Sequence, residues 1–171
     1  MPTSIVLVDD HPVVRSGFKR LLSVEADLLV IAEFDQAEAA LAWLADHDAD
    51  VLIADVSMPG IGGIEMLRQL RDRDQAIKII MLSMHDSPGI IRQALEAGAN
   101  GFLSKTSDPD ELILGIAMVM HGGIALNDEA RRVLEAQQTH SAPHDQLSPK
   151  EFAMLLKLAE VLTQKQIADA F

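Results

Sequence analysis

Five short runs rich in Val, Ile and Leu recur along the chain, and each is followed by an amphipathic stretch of helical length. The runs cover residues 4–8, 28–34, 51–55, 77–82 and 101–104. Continuous apolar runs of this length, bounded by polar residues, predict strands that are buried on both faces. Strict alternation of such strands with helices predicts a parallel sheet covered by helices on both sides. We therefore expect an α/β fold, a doubly wound five-stranded parallel sheet.

The composition limits the classes of function. The chain has 171 residues and a net charge of -12, which allows one domain of ordinary size plus a small appendage. The acidic excess lies within residues 1–122, and such a surface disfavours contact with phosphate backbones. The absence of cysteine excludes disulfides and thiol chemistry. No apolar run is long enough to span a bilayer, and the first residues do not resemble a signal peptide, so we expect a soluble, cytoplasmic protein with no membrane partner.

The pattern changes after residue 122 and indicates three parts. Residues 1–122 hold the strand and helix units, and residues 123–146 predict a linker helix followed by a polar linker. Asn127 or Asp128 would cap that helix. Residues 147–171 restart an amphipathic helical pattern, in which Ser148 acts as the helix cap and Pro149 takes the first helical position. These last residues are expected to form an incomplete all-α unit.

Chemistry in an open parallel sheet collects at the carboxyl ends of the strands. There the sequence places Asp9 and Asp10 after the first strand, Asp55 at the end of the third, Ser83 after the fourth and Lys105 after the fifth. Carboxylates together with a backbone carbonyl suit Mg²⁺, which prefers oxygen ligands. A carboxylate held at such a cation can attack phosphorus while a lysine neutralises the phosphoryl oxygens. This set therefore indicates a hard cation and a phosphoryl group.

Each of these residues also has a simpler interpretation. Asp10 could cap the first helix, and Ser83 or Lys105 alone would be an ordinary turn or surface residue. Asp55 is harder to explain in this way, because it ends a strongly apolar strand and a buried charge needs a partner. Taken together, the simple interpretations require five independent coincidences at one edge. Two nearby histidines, His11 and His85, are predicted to be neighbours of the site or surface groups rather than metal ligands.

Several segments closely resemble the receiver domain of two-component response regulators of the NarL/FixJ subfamily. They read "VLVDDHPVVRSGFKRLL", "VLIADVSMPGIGGIEMLRQLR", "MLSMHDSPGIIRQALEAGANGFLSK" and "DELILGI". The segment "LSPKEFAMLLKLAEVLTQKQIA" resembles the start of the LuxR-type helix-turn-helix of the same subfamily. The resemblance implies a flavodoxin-like receiver with strand order 2-1-3-4-5, a phosphorelay function and a transcriptional output domain.

The resemblance also implies a role for individual residues. Asp55 would accept a phosphoryl group from a sensor histidine kinase, and Lys105 would contact that group. Ser83 and Phe102 match the switch hydroxyl and the aromatic that turns inward on activation. The ligands of Mg²⁺ would be Asp10, Asp55 and the backbone carbonyl of Ser57, with Asp9 acting mainly through water. Because Phe102 cannot donate a hydrogen bond, packing is expected to govern the switch.

Two other classes of function compete with a phosphorylation-controlled transcription regulator. A phosphohydrolase with an aspartyl intermediate typically carries a second acid two residues after its nucleophile, and here that position is Ser57. We therefore expect no enzyme, beyond slow loss of its own phosphoryl group. The other alternative is a receiver that acts through protein contacts without DNA, and a homodimer through the receiver is also possible.

Residues 147–171 favour the alternative of a receiver that acts through protein contacts without DNA. In the family, the recognition helix that enters the major groove follows the segment matched by 147–171, and the sequence ends at Phe171. Residues 147–171 carry equal numbers of basic and acidic side chains, unlike the basic surface of a DNA reader. The expectation is that the family binds DNA, whereas the chain as given does not bind a specific operator.

Overall fold

The computed structural model describes residues 1–73 and 76–140, with side chains described up to residue 136. Within them the chain alternates between strands and helices as predicted. The strands are β1 Thr3–Val8, β2 Leu28–Phe34, β3 Val51–Asp55, β4 Lys78–Ser83, β5 Gly101–Ser104 and β6 Ala125–Leu126. The helices are α1 Pro12–Leu22, α2 Ala37–Leu44, α3 Gly62–Asp72, α4 Pro88–Glu96, α5 Pro109–Met120 and α6 Asp128–His140.

All strands pair in parallel in one sheet, in the order β2-β1-β3-β4-β5-β6. The predicted parallel α/β sheet and its 2-1-3-4-5 order are confirmed. The predicted number of five strands is too small, since the two-residue β6 adds a sixth strand beside β5. So short a strand, next to the glycines that end α5, leaves almost no apolar run for sequence reasoning to detect.

Two apolar layers cover the sheet. One layer contains side chains of α2, α3 and α4, for example Leu41, Leu67 and Ile91. The other contains side chains of α1 and α5, for example Leu22 and Ile116. The central strand β3 is buried along its whole length, which explains why its sequence is a continuous apolar run rather than an alternating one.

The compact unit of the fold runs from Met1 to Val133, and a second unit covers Leu134–Phe171. The first therefore includes β6 and the start of α6, which the sequence pattern assigns to the linker. Ala130 and Val133 of α6 join the apolar layer of α4. The Oδ1 atom of Asn127 accepts a hydrogen bond from the Ala130 amide at 2.8 Å. Of the two predicted caps, Asn127 and Asp128, it is therefore Asn127 that caps α6.

The predictions for residues 141–171, including the cap at Ser148, lie outside the described residues. Within the part of the chain that the structure describes, no helix is long and apolar enough to cross a lipid bilayer.

Candidate phosphoryl and metal site

The carboxyl ends of β1, β3 and β5 bring three predicted residues into direct contact. Lys105 Nζ lies 2.7 Å from Asp9 Oδ2 and 2.7 Å from Asp55 Oδ2. The side chains of Lys105 and Asp55 are each only 2% exposed. A single buried ammonium group therefore serves two buried carboxylates, which accounts for the presence of charge at the end of strands that are otherwise apolar.

Asp10 and His11 complete the acidic cluster. Ligand atoms of Asp9, Asp10, His11 and Asp55 all lie within 4.8 Å of one another. His11 Nδ1 is 2.9 Å from Asp10 Oδ1 and 4.0 Å from Asp55 Oδ2. His11 is predicted from the sequence to be a neighbour of the site, and the structure places its ring against the carboxylates from the solvent side, with 61% of the side chain exposed.

The helix-cap interpretation of Asp10 is not supported. The residue at the N-cap position of α1 is His11, and no side chain caps that helix end. Asp9 instead fixes the turn into α1, because its Oδ1 accepts a hydrogen bond from the His11 amide at 2.8 Å. Asp10 is thereby left with its carboxylate at the cluster rather than at the helix end.

Burial dominates the electrostatics of Asp55. Desolvation raises the pKa of its carboxyl group, and this effect outweighs the hydrogen bond and charge of Lys105 and the hydrogen bond from the Ser57 amide. The Ser57 amide lies 3.1 Å from Asp55 Oδ1. Asp55 is therefore a carboxylate that gains stabilisation from any added positive charge.

The donor set fits Mg²⁺. It consists of hard carboxylate oxygens from Asp9, Asp10 and Asp55, which this ion prefers. Three acids share one lysine and one largely exposed histidine, so the cluster has negative charge in excess. Ser57, the predicted carbonyl ligand, is an exposed residue two positions after Asp55.

Ser83 ends β4 and Phe102 lies in β5, and neither side chain joins the charge network of this cluster among the described contacts. Ser83 is buried at the end of β4, and its hydroxyl donates to the His85 carbonyl at 2.8 Å and accepts from the His85 amide at 3.0 Å. Phe102 is fully buried in the same apolar layer as α4 and the start of α6. The backbone carbonyl of Ser83 accepts from the Lys105 amide at 2.8 Å, so β4 positions the lysine.

Gly63 is a residue of this site that sequence reasoning misses. It is the second residue of α3, and a Cβ atom built on it would lie 2.0 Å from the backbone oxygen of Asp55. Only glycine allows α3 to approach the end of β3 this closely. By its sequence, the stretch "MPGIGG" is an ordinary flexible turn. The informative signal is a glycine at the start of a helix, where cap residues and good helix formers are the usual choice.

Comparisons with known proteins give a family match and several similar chains. Residues 5–117 match the family model described as the response regulator receiver domain. The chain is 44% identical over 165 residues to the transcriptional regulatory protein UhpA of Escherichia coli (strain K12), covering 96% of this chain and 80% of that protein.

Two solved structures are similar as well. The isolated receiver domain of RcsB from Salmonella enterica serovar Typhimurium, in the presence of the phosphomimetic BeF3⁻, has a TM-score of 0.71 and 28% identity, covering 78% of this chain and 99% of that one. An RcsB–DNA complex has a TM-score of 0.73 and 29% identity, covering 94% of this chain and 78% of that one.

Proposed function

The chain belongs to the two-component response regulators of the NarL/FixJ subfamily, which regulate transcription, and we propose that Asp55 is the residue that accepts the phosphoryl group. The observation that carries the proposal is the buried Asp55 carboxylate, whose Oδ2 atom lies 2.7 Å from a lysine that also binds Asp9. This arrangement holds the attacking oxygen beside a fixed positive charge. A preorganised charge of this kind stabilises the negative charge that develops during transfer.

In the proposed reaction, an oxygen of the Asp55 carboxylate attacks the phosphorus atom of a phosphohistidine on a sensor histidine kinase. A bond between oxygen and phosphorus forms, and the bond between phosphorus and the imidazole nitrogen breaks. The electron pair of the broken bond stays on the imidazole, and the aspartate becomes an acyl phosphate. Lys105 neutralises the phosphoryl oxygens as charge shifts onto the leaving group.

The proposed residues for holding Mg²⁺ are Asp10, Asp55 and the backbone carbonyl of Ser57, with Asp9 acting through water. When bound there, Mg²⁺ supplies positive charge to the phosphoryl oxygens and reduces repulsion between them and the acids. The protein's own contribution is to hold the carboxylates together before the ion arrives. Asp9 is kept in place by the His11 amide and by Lys105.

After transfer, the phosphoryl group adds negative charge at the end of β3. We propose that the Ser83 hydroxyl then turns from His85 to a phosphoryl oxygen. Phe102, expected from the resemblance to turn inward on activation, is already fully buried, so its ring keeps that position. The chain acts in this way as a signal transducer, and hydrolysis of its own acyl phosphate is expected to be slow. The partners would be the kinase, a second copy of the receiver and, in the family, DNA.

The test uses acetyl phosphate as the phosphoryl donor. Intact mass spectrometry of the chain with acetyl phosphate and Mg²⁺ is expected to show the addition of one phosphoryl group, which is lost in Asp55→Asn. Asp50→Asn is the matched control, because Asp50 lies at the opposite end of the same strand, and it should be labelled like the wild type. Labelling that survives Asp55→Asn, or that is unaffected by EDTA, contradicts the assignment.

A further inference from the structure

The start of α6 is hydrogen-bonded to the loop that follows the switch serine. Nδ2 of Asn127 donates to Oδ2 of Asp86 at 2.8 Å, and the two residues are 41 positions apart in the chain. Asp86 lies three residues after Ser83, between β4 and α4. This contact, which we call the latch, therefore joins the loop after β4 to the first turn of α6.

Asn127 uses every polar group it has at this junction. Its Oδ1 caps α6 by accepting from the Ala130 amide, and its Nδ2 forms the latch. Its backbone amide donates to the carbonyl of Phe102 at 3.1 Å, and its carbonyl accepts from the Arg131 amide. The Asp86 carboxylate can only accept and the Ala130 backbone amide can only donate, so these two partners fix which side-chain atom of Asn127 is nitrogen and which is oxygen. Asn127 consequently contacts both the strand of the switch aromatic and the loop of the switch hydroxyl.

The latch stabilises the charged form of the Asp86 carboxyl group. Burial raises the pKa of its carboxyl group, and the hydrogen bond from Asn127 is the main effect opposing this, helped by the charge of His85 and countered by that of Glu129. Its Oδ1 atom is buried and receives no hydrogen bond from the described residues. Loss of the Asn127 donor would leave a half-buried carboxylate that gains stabilisation by moving toward water.

The conformation of the latched loop depends on Ser83. A hydroxyl has one proton to donate, and here that proton goes to the His85 carbonyl while the His85 amide donates back to the same oxygen. If the hydroxyl donates to a phosphoryl oxygen at Asp55 instead, its bond to the His85 carbonyl must break. The turn that carries Asp86 then loses the contact that closes it.

We propose that the latch between Asn127 and Asp86 is a positioning contact that holds the loop after β4 in the unphosphorylated arrangement and is released when Asp55 is phosphorylated. The inference rests on the proposed function of Asp55. Because coupling between two equilibria is reciprocal, a chain without the latch binds a phosphoryl group or its analogue more tightly. Asn127 thus links the phosphorylation site to α6, the helix that leads out of the receiver.

The experiment measures the apparent dissociation constant of beryllofluoride, with Mg²⁺ at pH 8, by fluorine NMR. In Asn127→Asp the helix cap is kept, since aspartate is as good a cap as asparagine, while the donor to Asp86 becomes a like charge. We expect Asn127→Asp to bind beryllofluoride about three- to tenfold more tightly than the wild type, the range that loss of one hydrogen bond allows. Asn127→Ser keeps a cap but is too short for the latch, and should shift in the same direction by less.

The control is the exchanged pair Asp86→Asn with Asn127→Asp, which restores a hydrogen bond with donor and acceptor reversed. The exchanged pair should return the dissociation constant to near the wild-type value. If Asn127 acted only as the cap of α6, its substitution would lower the melting temperature without changing this constant. Equal binding by wild type, Asn127→Asp and Asn127→Ser overturns the latch, as does an exchanged pair that behaves like Asn127→Asp alone. Failure of the wild type to bind beryllofluoride contradicts the role of Asp55 itself, and the latch with it.

Discussion

The two ends of β3 each carry an aspartate, and the two carboxyl groups have opposite properties. Asp50 precedes the strand and is exposed, and Asp55 ends it and is buried. Hydrogen bonds from the side chain and backbone of Ser4 lower the pKa of Asp50, whereas burial raises the pKa of Asp55. The same residue type, five positions apart, is therefore stabilised as an anion at one end and destabilised as an anion at the other.

The difference comes from what each carboxylate contacts. At the amino end, Oδ2 of Asp50 accepts from Ser4 N at 2.8 Å and from Ser4 Oγ at 2.6 Å, and no second acid shares these donors among the described residues. At the carboxyl end, Asp55 shares one lysine with Asp9. The hydrogen bonds at the amino end join β1 to the start of β3, whereas the carboxyl end keeps an excess of negative charge, as the proposed cation and phosphoryl chemistry requires.

Two cations, the buried Lys105 and the half-buried Arg71, give the strongest contrast in stability. Lys105→Met leaves two buried carboxylates without their shared partner and should lower the free energy of unfolding by about 3 kcal/mol, measured by urea denaturation in EDTA. Arg71 donates to the carbonyls of Gly98 and Ile77 and to the side chain of Asn100, before the amino ends of β4 and β5. Arg71→Met removes these donors and should lower the free energy of unfolding by about 1–3 kcal/mol.

Addition of Mg²⁺ separates these two variants. The ion should restore part of the stability of Lys105→Met, because it supplies charge at the same carboxylates, and should act on Arg71→Met no more than on the wild type. An equal response of the two variants would mean that the charge imbalance is not confined to the carboxyl end.

Close packing around the Asp55 backbone gives the next largest expected change in stability. Gly63→Ala forces a methyl group against the Asp55 backbone and should cost about 2–3 kcal/mol in unfolding free energy, with slower labelling by acetyl phosphate. The matched control is Gly89→Ala, also at the second position of a helix, where an added Cβ atom meets nothing within 4 Å. Gly89→Ala should be neutral or slightly stabilising. Similar losses in both variants would contradict the close approach of α3.

Removal of each aspartate's charge should change stability in opposite directions. In EDTA, Asp55→Asn should raise the free energy of unfolding by on the order of 1 kcal/mol, because it removes a poorly solvated charge while Asp9 retains Lys105. Asp50→Asn should lower it, by less than about 1 kcal/mol because the site is exposed. Thermal melts of both variants test this, and a shift of the same sign in both would contradict the contrast.

The pH dependence of Asp50 is the weakest effect. Because its folded-state pKa is lowered, its contribution is present above the pKa of the unfolded chain and is lost as the pH falls through the lower folded value. The stability difference between wild type and Asp50→Asn should therefore be constant from pH 7 to about pH 5 and shrink below about pH 4. Urea denaturation at a series of pH values measures it, and a difference that grows on acidification would contradict the assigned hydrogen bonds.

The first five strands, the helices between them and the residues at the carboxyl ends of those strands follow from the amino-acid sequence, whereas the two-residue β6 does not. The cause is local, because buried parallel strands need continuous apolar runs and a charge directly after such a run is conspicuous. The position of Asp55 after "VLIA" is therefore recognisable from the residues alone.

Which side chains meet is settled by the packing of elements that are distant in the chain. Lys105 serves both Asp9 and Asp55, Gly63 touches the Asp55 backbone, and Asn127 reaches Asp86. Such pairings leave no periodic signal, because each needs only one residue at the right place in each element. Hydrophobic periodicity acts over a few residues, whereas the sharing of a buried charge depends on the geometry of the assembled sheet.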